Sequence, residues 1–233
     1  MKIAFLLIGT NKYIKLARNC ADSLRKHVKI PNAVIDTHIF SNLPKPHGFH
    51  DPSTYHTIDH LPWPLITLLR YHYFTRFATA LQDYDYLYYI DADMEAVNDI
   101  GPEILGTLVG CQHPGLWGSR HLPYDPNVNS TSYFKDALQA YAKYYFGALQ
   151  GGKRVDFLKM ADILRQRIDQ DLKKNYIALW HDESQMNKYF FENPPDVVLD
   201  KNQFAHVDTW FGPVTPNVKI RTLDKNHDAI RQE

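Results

Sequence analysis

Residues 86–93 read YLYYIDAD: an aromatic-rich apolar run, Tyr86–Ile90, that stops on Asp91-Ala92-Asp93. Tyr and Ile suit a pleated, buried surface better than a helix interior, so the run is expected to be a strand. Working outward, Lys2–Ile8 is a second apolar strand, broken at Gly9. Tyr13–Val28 has helical spacing, with Ile14, Ala17, Leu24 and Val28 roughly on one face. Ala33–Phe40 is again of β type. Strand, helix and strand at this spacing make a βαβ unit and a parallel sheet. In open α/β sheets ligands bind beyond the carboxyl ends of the strands, which is where Asp91 and Asp93 stand. The fold class expected is α/β, with a mostly parallel central sheet flanked by helices.

The rest of the chain extends the pattern. Residues 41–53 are turn-rich and form a loop. Tyr55–Ile58 is a short strand. Pro62 and Pro64 open a helix running to about Leu81, since proline is tolerated where a helix begins. Gln112–Ser119 reads as a strand, 123–133 as a mobile loop, and Val155–Leu172 as an amphipathic helix. Another helix, His181–Phe191, is capped by Asp182 or a neighbour and ended by Asn193-Pro194-Pro195. The tail, 222–233, is charged and aperiodic. No repeat or shift in composition divides the chain, so residues 1–233 are expected to be one domain.

Composition narrows the function. The 233 residues carry 26 Lys+Arg against 26 Asp+Glu, so the clustered surplus charge of a general nucleic-acid binder is missing. Hydrophobic residues are 44% and charged residues 22%, the mix of a globular protein. Aromatics reach 13%, with 15 Tyr, which fits either a sugar site or an aromatic-heavy core. Two cysteines, Cys20 and Cys111, allow at most one disulfide and form no Cys-x-x-Cys metal pair. The apolar start lacks a cleavage site and reads as a strand. No apolar run approaches the ~18 residues that span a bilayer. The expectation is a soluble, unanchored protein of the cytoplasm.

Two carboxylates separated by one small residue at a strand end can converge on a divalent cation, and oxygen ligands suit Mg²⁺ or Mn²⁺. The same pattern also serves as a plain polar turn. A second acidic cluster, Trp180-His181-Asp182-Glu183, reads either as helix-start residues complementing the dipole or as a carboxylate facing a sugar beside an apolar indole. Lys225, Asn226, His227 and Arg231 are either a solvated tail or a basic lid over a phosphate. Gly147, Gly151 and Gly152 permit close backbone approach to a ligand, but they lack the spacing of a dinucleotide loop.

Six short stretches occur together: NKY at 11–13, YYIDADMEAV at 88–97, HPGLWGS at 113–119, YYFGALQGG at 144–152, WHDESQMNKYF at 180–190 and KNHDAIR at 225–231. In that order and spacing the chain, from Ile8 onward, resembles the family 6 glycosyltransferases. These are retaining α-1,3-galactosyl and N-acetylgalactosaminyl transferases similar to the histo-blood group A and B enzymes. The resemblance implies a single nucleotide-sugar-binding catalytic domain of glycosyltransferase A type. Its nucleotide part is about 1–95, its acceptor part about 96–221 and its mobile tail about 222–233. The membrane anchor and stem of the animal enzymes have no counterpart in the resembling stretches.

By position, the resemblance implies that Ile8, Gly9, Thr10, Tyr13 and Ile66 hold uridine and that Arg70 lies near the diphosphate. Asp91, Ala92 and Asp93 are implied to bind the UDP phosphates, with Asp91 and Asp93 ligating Mn²⁺ (or Mg²⁺). Lys225 is implied to reach the phosphates from the tail, and Arg231 to order the tail when UDP binds. Phe146, Gly147, Ala148, His181 and Asp182 line the donor sugar. Bulky Phe146 with Ala148 leans toward galactose over N-acetylgalactosamine. His113, Trp180, Glu183 and His206 contact the acceptor, a β-galactoside oligosaccharide. Glu183 is the carboxylate implied as nucleophile or as stabiliser of an oxocarbenium-like transition state. Other readings are a carbohydrate-binding protein of the same fold that has lost transfer, another DxD transferase using UDP-glucose, and, more remotely, a metal-dependent phosphohydrolase.

Overall fold

Successive side chains of the first strand, β1 (Lys2–Ile8), point to opposite sides, and both sides are buried. Ile3, Phe5 and Leu7 join one core cluster, while Ala4 and Leu6 join another. That explains why the strand reads as a continuous apolar run rather than an alternating one. In the computed structural model, which describes residues 1–46, 51–135 and 143–224, helices cover both faces. Helix α1 (Tyr13–His27) lays Ala17, Ala21 and Leu24 on the Ile3 face. Helices α3 (Arg70–Arg76), α4 (Arg154–Lys173) and α5 (His181–Glu192) supply Phe74, Phe157, Leu164 and Phe190 to the other. Each large side chain buried there contributes about 1.5–3 kcal/mol.

The central sheet joins β1 to β2 (Val34–Ser41), β3 (Thr54–Thr57), β4 (Tyr86–Ile90), β6 (Leu108–Gln112), β7 (Tyr145–Lys153) and β8 (Val197–Leu199), in the order β3-β2-β1-β4-β7-β6-β8. All pairings are parallel except those of β7, which runs antiparallel to both neighbours. The reversal brings the beginning of β7 beside the end of β4: Ile90 pairs with Leu149, and Asp91 N–H donates to the Ala148 carbonyl at 2.9 Å. A small sheet, in the order β5-β10-β9, follows the acidic turn. It contains β5 (Met94–Ala96), β9 (His206–Val207) and β10 (Ile220–Thr222). Just beyond β10, Leu223 N–H donates to the Asp93 carbonyl at 2.8 Å.

Several expectations need correction. The helix foreseen from Pro62 or Pro64 to Leu81 is three pieces: α2 (Leu65–Leu68), α3, and a 3-10 turn at Ala78–Leu81. At the first break the Arg70 side chain turns inward and its Nε donates to the Thr67 carbonyl at 3.2 Å. Residues 113–119 are not a strand. β6 ends at Gln112, Pro114 has no N–H to continue a ladder, and Trp117 N–H closes a turn on the His113 carbonyl at 3.0 Å. The 123–133 segment is pinned rather than free. Buried Asp125 accepts from Ser132 and Tyr176, and buried Asp171 accepts from Ser130, Thr131 and Gln185. Helix α5 is not capped by Asp182, which points inward; the Ser184 hydroxyl accepts the Trp180 N–H instead, at 2.9 Å. Residues 146–152, left unassigned from sequence, form most of β7. Among the described residues, no helix is long and apolar enough to cross a membrane.

Gly151 and Gly152 serve the sheet, not a ligand. A Cβ on Gly151 would lie 2.7 Å from the Leu87 carbonyl oxygen and press into the Tyr88 ring. Overpacking of this kind costs about 1–3 kcal/mol. We expect Gly151→Ala to lower the urea midpoint accordingly. An unchanged midpoint would show that β4 and β7 can separate without cost.

Candidate active site

The end of β4 carries the acidic pair because the apolar strand has nowhere further to run: Ile90 is fully buried, and Asp91 and Asp93 emerge half-buried at the sheet edge. Tyr89, alternating to the face opposite Ile90, donates its hydroxyl to Asp91 Oδ1. Arg70, only 4% exposed, lies with its guanidinium 4.2 Å above the Tyr89 ring centroid. Its Nε is 3.0 Å from Asp182 Oδ2 and its Nη1 is 3.6 Å from Asp91 Oδ1. The same Nη1 donates to the Gly147 carbonyl at 3.0 Å. One buried cation therefore fastens the strand end, the start of β7 and the start of α5 together.

Glu183 stands next in this arrangement. Its Oε2 accepts the Gly147 N–H at 2.7 Å. A Cβ at residue 147 would come within 2.9 Å of that oxygen, so glycine is needed for the carboxylate to seat. Asn187, fully buried one turn later, locks α5 to β7. It accepts from Tyr145 N–H at 2.7 Å and donates to the Tyr145 and Glu183 carbonyls at 2.9 and 3.0 Å. The helix starts on His181 with φ 51°, a left-handed conformation costly for a non-glycine residue. That backbone twist turns Asp182 in toward Arg70 while Trp180 stays half-exposed.

The electrostatics follow from burial. Loss of solvent pushes the Asp182 carboxyl up to about 6 despite Arg70, with Asp91 adding to the rise. It pushes Glu183 up to about 7, against the Gly147 N–H and with the help of Asp182. Arg70 is held firmly charged, its burial outweighed by Asp182, Tyr89 and Asp91. A single guanidinium among Asp91, Asp182 and Glu183 leaves surplus negative charge, which favours a divalent cation. Among the described residues no three His, Cys, Asp or Glu side chains cluster to hold a metal. Two hard carboxylates supplemented by diphosphate oxygens suit Mg²⁺ or Mn²⁺.

The other expected residues fall around this centre. Ile8, Gly9, Thr10 and Tyr13 occupy the end of β1 and the start of α1, beside β4 in the sheet. Buried Thr10 pairs its hydroxyl with His60 Nδ1 at 2.9 Å. Ile66 lies on α2 and packs on the same core as Ile8. Phe146 and Ala148 join the α1 side of the sheet, whereas Tyr145 joins the α5 side. His113 meets the Phe146 ring edge-on at 5.3 Å. Burial, then the Lys201 charge, lowers its pKa to about 4, so it is neutral at pH 7. His206 stands apart on β9, buried, with Nε2 bonded to the Gly212 carbonyl at 2.9 Å. Lys225 and Arg231 lie outside the described residues. Sequence reasoning missed Tyr89, Asn187 and Trp63. Asn187 is four residues after Glu183, one helical turn along, which was the signal available. Trp63 packs edge-on to His181 at 4.9 Å.

Raised carboxyl pKa values make the folded state bind more protons than the unfolded chain. The stability they contribute is present below about pH 4 and is lost as pH rises through 6 to 7. We expect Glu183→Gln, which keeps an acceptor for Gly147, to be more stable than the parent at pH 8 by about 1–2 kcal/mol, with a flatter profile between pH 4.5 and 7. Denaturant titrations across that range check it; parallel profiles would mean that Glu183 ionises freely.

Comparison with known proteins places the chain in a family. The profile of glycosyltransferase family 6 matches residues 56–232. The chain is 35% identical over 140 residues to the O-antigen biosynthesis glycosyltransferase WbnI of Escherichia coli, covering 57% of this chain and 58% of that protein. It is 26% identical over 240 residues to the histo-blood group ABO system transferase 2 of Rattus norvegicus, covering 98% of this chain and 71% of that one. With the globoside alpha-1,3-N-acetylgalactosaminyltransferase 1 of Homo sapiens it shares 30% identity over 154 residues, 65% of this chain and 44% of that protein. The matched region thus spans less than two thirds of the Escherichia coli and human relatives. With its family profile covering most of the chain, and with the acidic strand end, Arg70 and Glu183 gathered in one site, the protein belongs to glycosyltransferase family 6.

Proposed function

We propose that the protein is a retaining hexosyltransferase that moves galactose or N-acetylgalactosamine from its UDP donor to the 3-hydroxyl of a β-galactoside, forming an α-1,3 linkage. The observation that carries this is the Arg70 junction, which gathers the acidic strand end and, through Gly147, the Glu183 carboxylate around one guanidinium. A transferase needs both: compensation for the departing nucleotide and a carboxylate at the anomeric carbon. Bulky Phe146 with Ala148 favours galactose as the donor sugar.

Uridine would lie over Ile8, Gly9, Thr10, Tyr13 and Ile66 at the end of β1. Mn²⁺ or Mg²⁺ held by Asp91 and Asp93 would supply positive charge beside the diphosphate. Arg70, fixed by Asp182 and Gly147, adds a charge that needs no reorganisation as the glycosyl–oxygen bond breaks. Leu223 on Asp93 brings the chain to the acidic edge just before Lys225 and Arg231, which supports a tail that closes on phosphate and excludes water. Asp182 contacts the donor sugar beside His181. Glu183 either attacks the anomeric carbon, in a double displacement, or stabilises a short-lived ion pair during same-face transfer. His113 and Trp180 border the acceptor side. Both routes need Glu183 ionised.

Three outcomes test the reading. Calorimetry should show that Mn²⁺ tightens UDP binding to the parent and not to Asp91→Ala/Asp93→Ala; equal binding would remove the metal from the account. Glu183→Gln should fold and lose roughly 10²-fold or more of transfer, and near-parental turnover would exclude Glu183. Because kcat/KM reports groups of the free enzyme, it should fall as pH drops below about 7, where Glu183 gains its proton. Release of UDP that no galactoside accelerates would point to hydrolysis instead, and a UDP-glucose arm separates the related donor class.

A further inference from the structure

Trp210 is the most exposed indole among the described residues, at 61%. It sits on the short helix α7 (Asp208–Phe211), around which His206 and Lys201 make three contacts. His206 Nε2 bonds the Gly212 carbonyl at the helix end, at 2.9 Å. Lys201, which starts the neighbouring helix α6 (Lys201–Phe204), donates its ammonium to the Pro114 carbonyl at 3.2 Å. The same ammonium lies 5.8 Å from the centroid of the Phe211 ring. Thus α7 is stapled to the 113–115 turn.

That turn is where His113 stands. A Cβ built on Gly115 would be 3.3 Å from Trp210 Cζ3, 3.6 Å from Trp210 Cη2 and 3.9 Å from His113 Cε1. Glycine lets the indole close down beside the imidazole. On its other flank His113 meets Phe146, whose neighbour Gly147 holds Glu183. The contacts lead outward from the carboxylate in the order Gly147, Phe146, His113, Gly115 and Trp210. An indole seated on the Gly115 turn yet left exposed has no folding role proportionate to its area, and indoles combine an apolar face with tolerance of water.

Resting on the acceptor reading above, we propose that Trp210 is a specificity-determining platform for the second sugar of an extended acceptor, stacking on the apolar face of the pyranose next to the galactose at the transfer site. The occupant is a glycan because the contacts lead to Trp210 from Glu183 and His113, the acceptor side of that reading. A flat indole seated against a turn favours the apolar face of a ring ligand over a flexible chain.

The test compares methyl β-galactoside with a β-galactosyl trisaccharide as acceptors. Trp210→Ala should raise the ratio of trisaccharide KM to monosaccharide KM roughly three- to tenfold, the scale of one aromatic contact. Trp210→Phe should recover part of it. An unchanged ratio, including an equal rise in both KM values, overturns the proposal. A second readout needs no turnover: the trisaccharide, added to the UDP-loaded protein, should shift tryptophan emission in the parent by more than in Trp210→Phe. Equal shifts overturn it as well. If the parent transfers to no galactoside, the acceptor reading fails, and the emission experiment with the trisaccharide still decides Trp210.

Discussion

Arg70 joins three segments distant in sequence: the end of β4 through Asp91, the start of β7 through the Gly147 carbonyl, and the start of α5 through Asp182. A guanidinium buried to this degree is tolerable only because carboxylates, a carbonyl and an aromatic face surround it. Removing a partner would strand a charge, so the site and the local fold are one construction. The break between α2 and α3, the left-handed turn at His181 and the absence of a side chain at Gly147 all serve to bring these groups to one point.

The antiparallel placement of β7 gives this construction its geometry. In an all-parallel sheet the strand beside β4 would present its carboxyl end to the acidic edge. Because β7 runs the other way, its first residues lie there instead, and a backbone N–H and C=O of Gly147 face opposite charges on Glu183 and Arg70. The Asn187 amide then fixes the helix to the strand with two hydrogen bonds to the Tyr145 backbone. Burial, with neighbouring carboxylates adding to it, keeps Asp182 and Glu183 easily protonated.

The small sheet has a different task. β10 lies between β5 and β9, so the stretch leading to the C-terminal tail is hydrogen-bonded directly to the chain that leaves Asp93. The same sheet carries β9 and, after it, α7, which places Trp210 beside the His113 turn. The stretch that leads to the tail and the helix that carries Trp210 are therefore attached to one structural unit, next to but separate from the Arg70 junction.

Much of this was legible in the residues. The apolar runs of β1, β2 and β4, the periodicity of α1, α4 and α5, and the acidic pair ending β4 are local features, and burial on both sheet faces makes them plain. The stretch WHDESQMNKY marked Asp182 and Glu183 through its likeness to a family. Local pattern could not reveal that β7 is a strand, since its glycines depress strand propensity and are required only by the close approach of β4, of Glu183 and of the Thr107–Leu108 backbone. Nor could it reveal that Arg70 turns inward at a helix break, that α7 lies against Gly115, or that the 123–133 loop is held by Asp125 and Asp171. The chain itself determined which residue types carry the chemistry, because those depend on charge and hydrogen-bonding capacity. Which of them meet, and how readily each ionises, was decided only by the tertiary structure, because strand direction and burial are properties of packed neighbours distant along the chain.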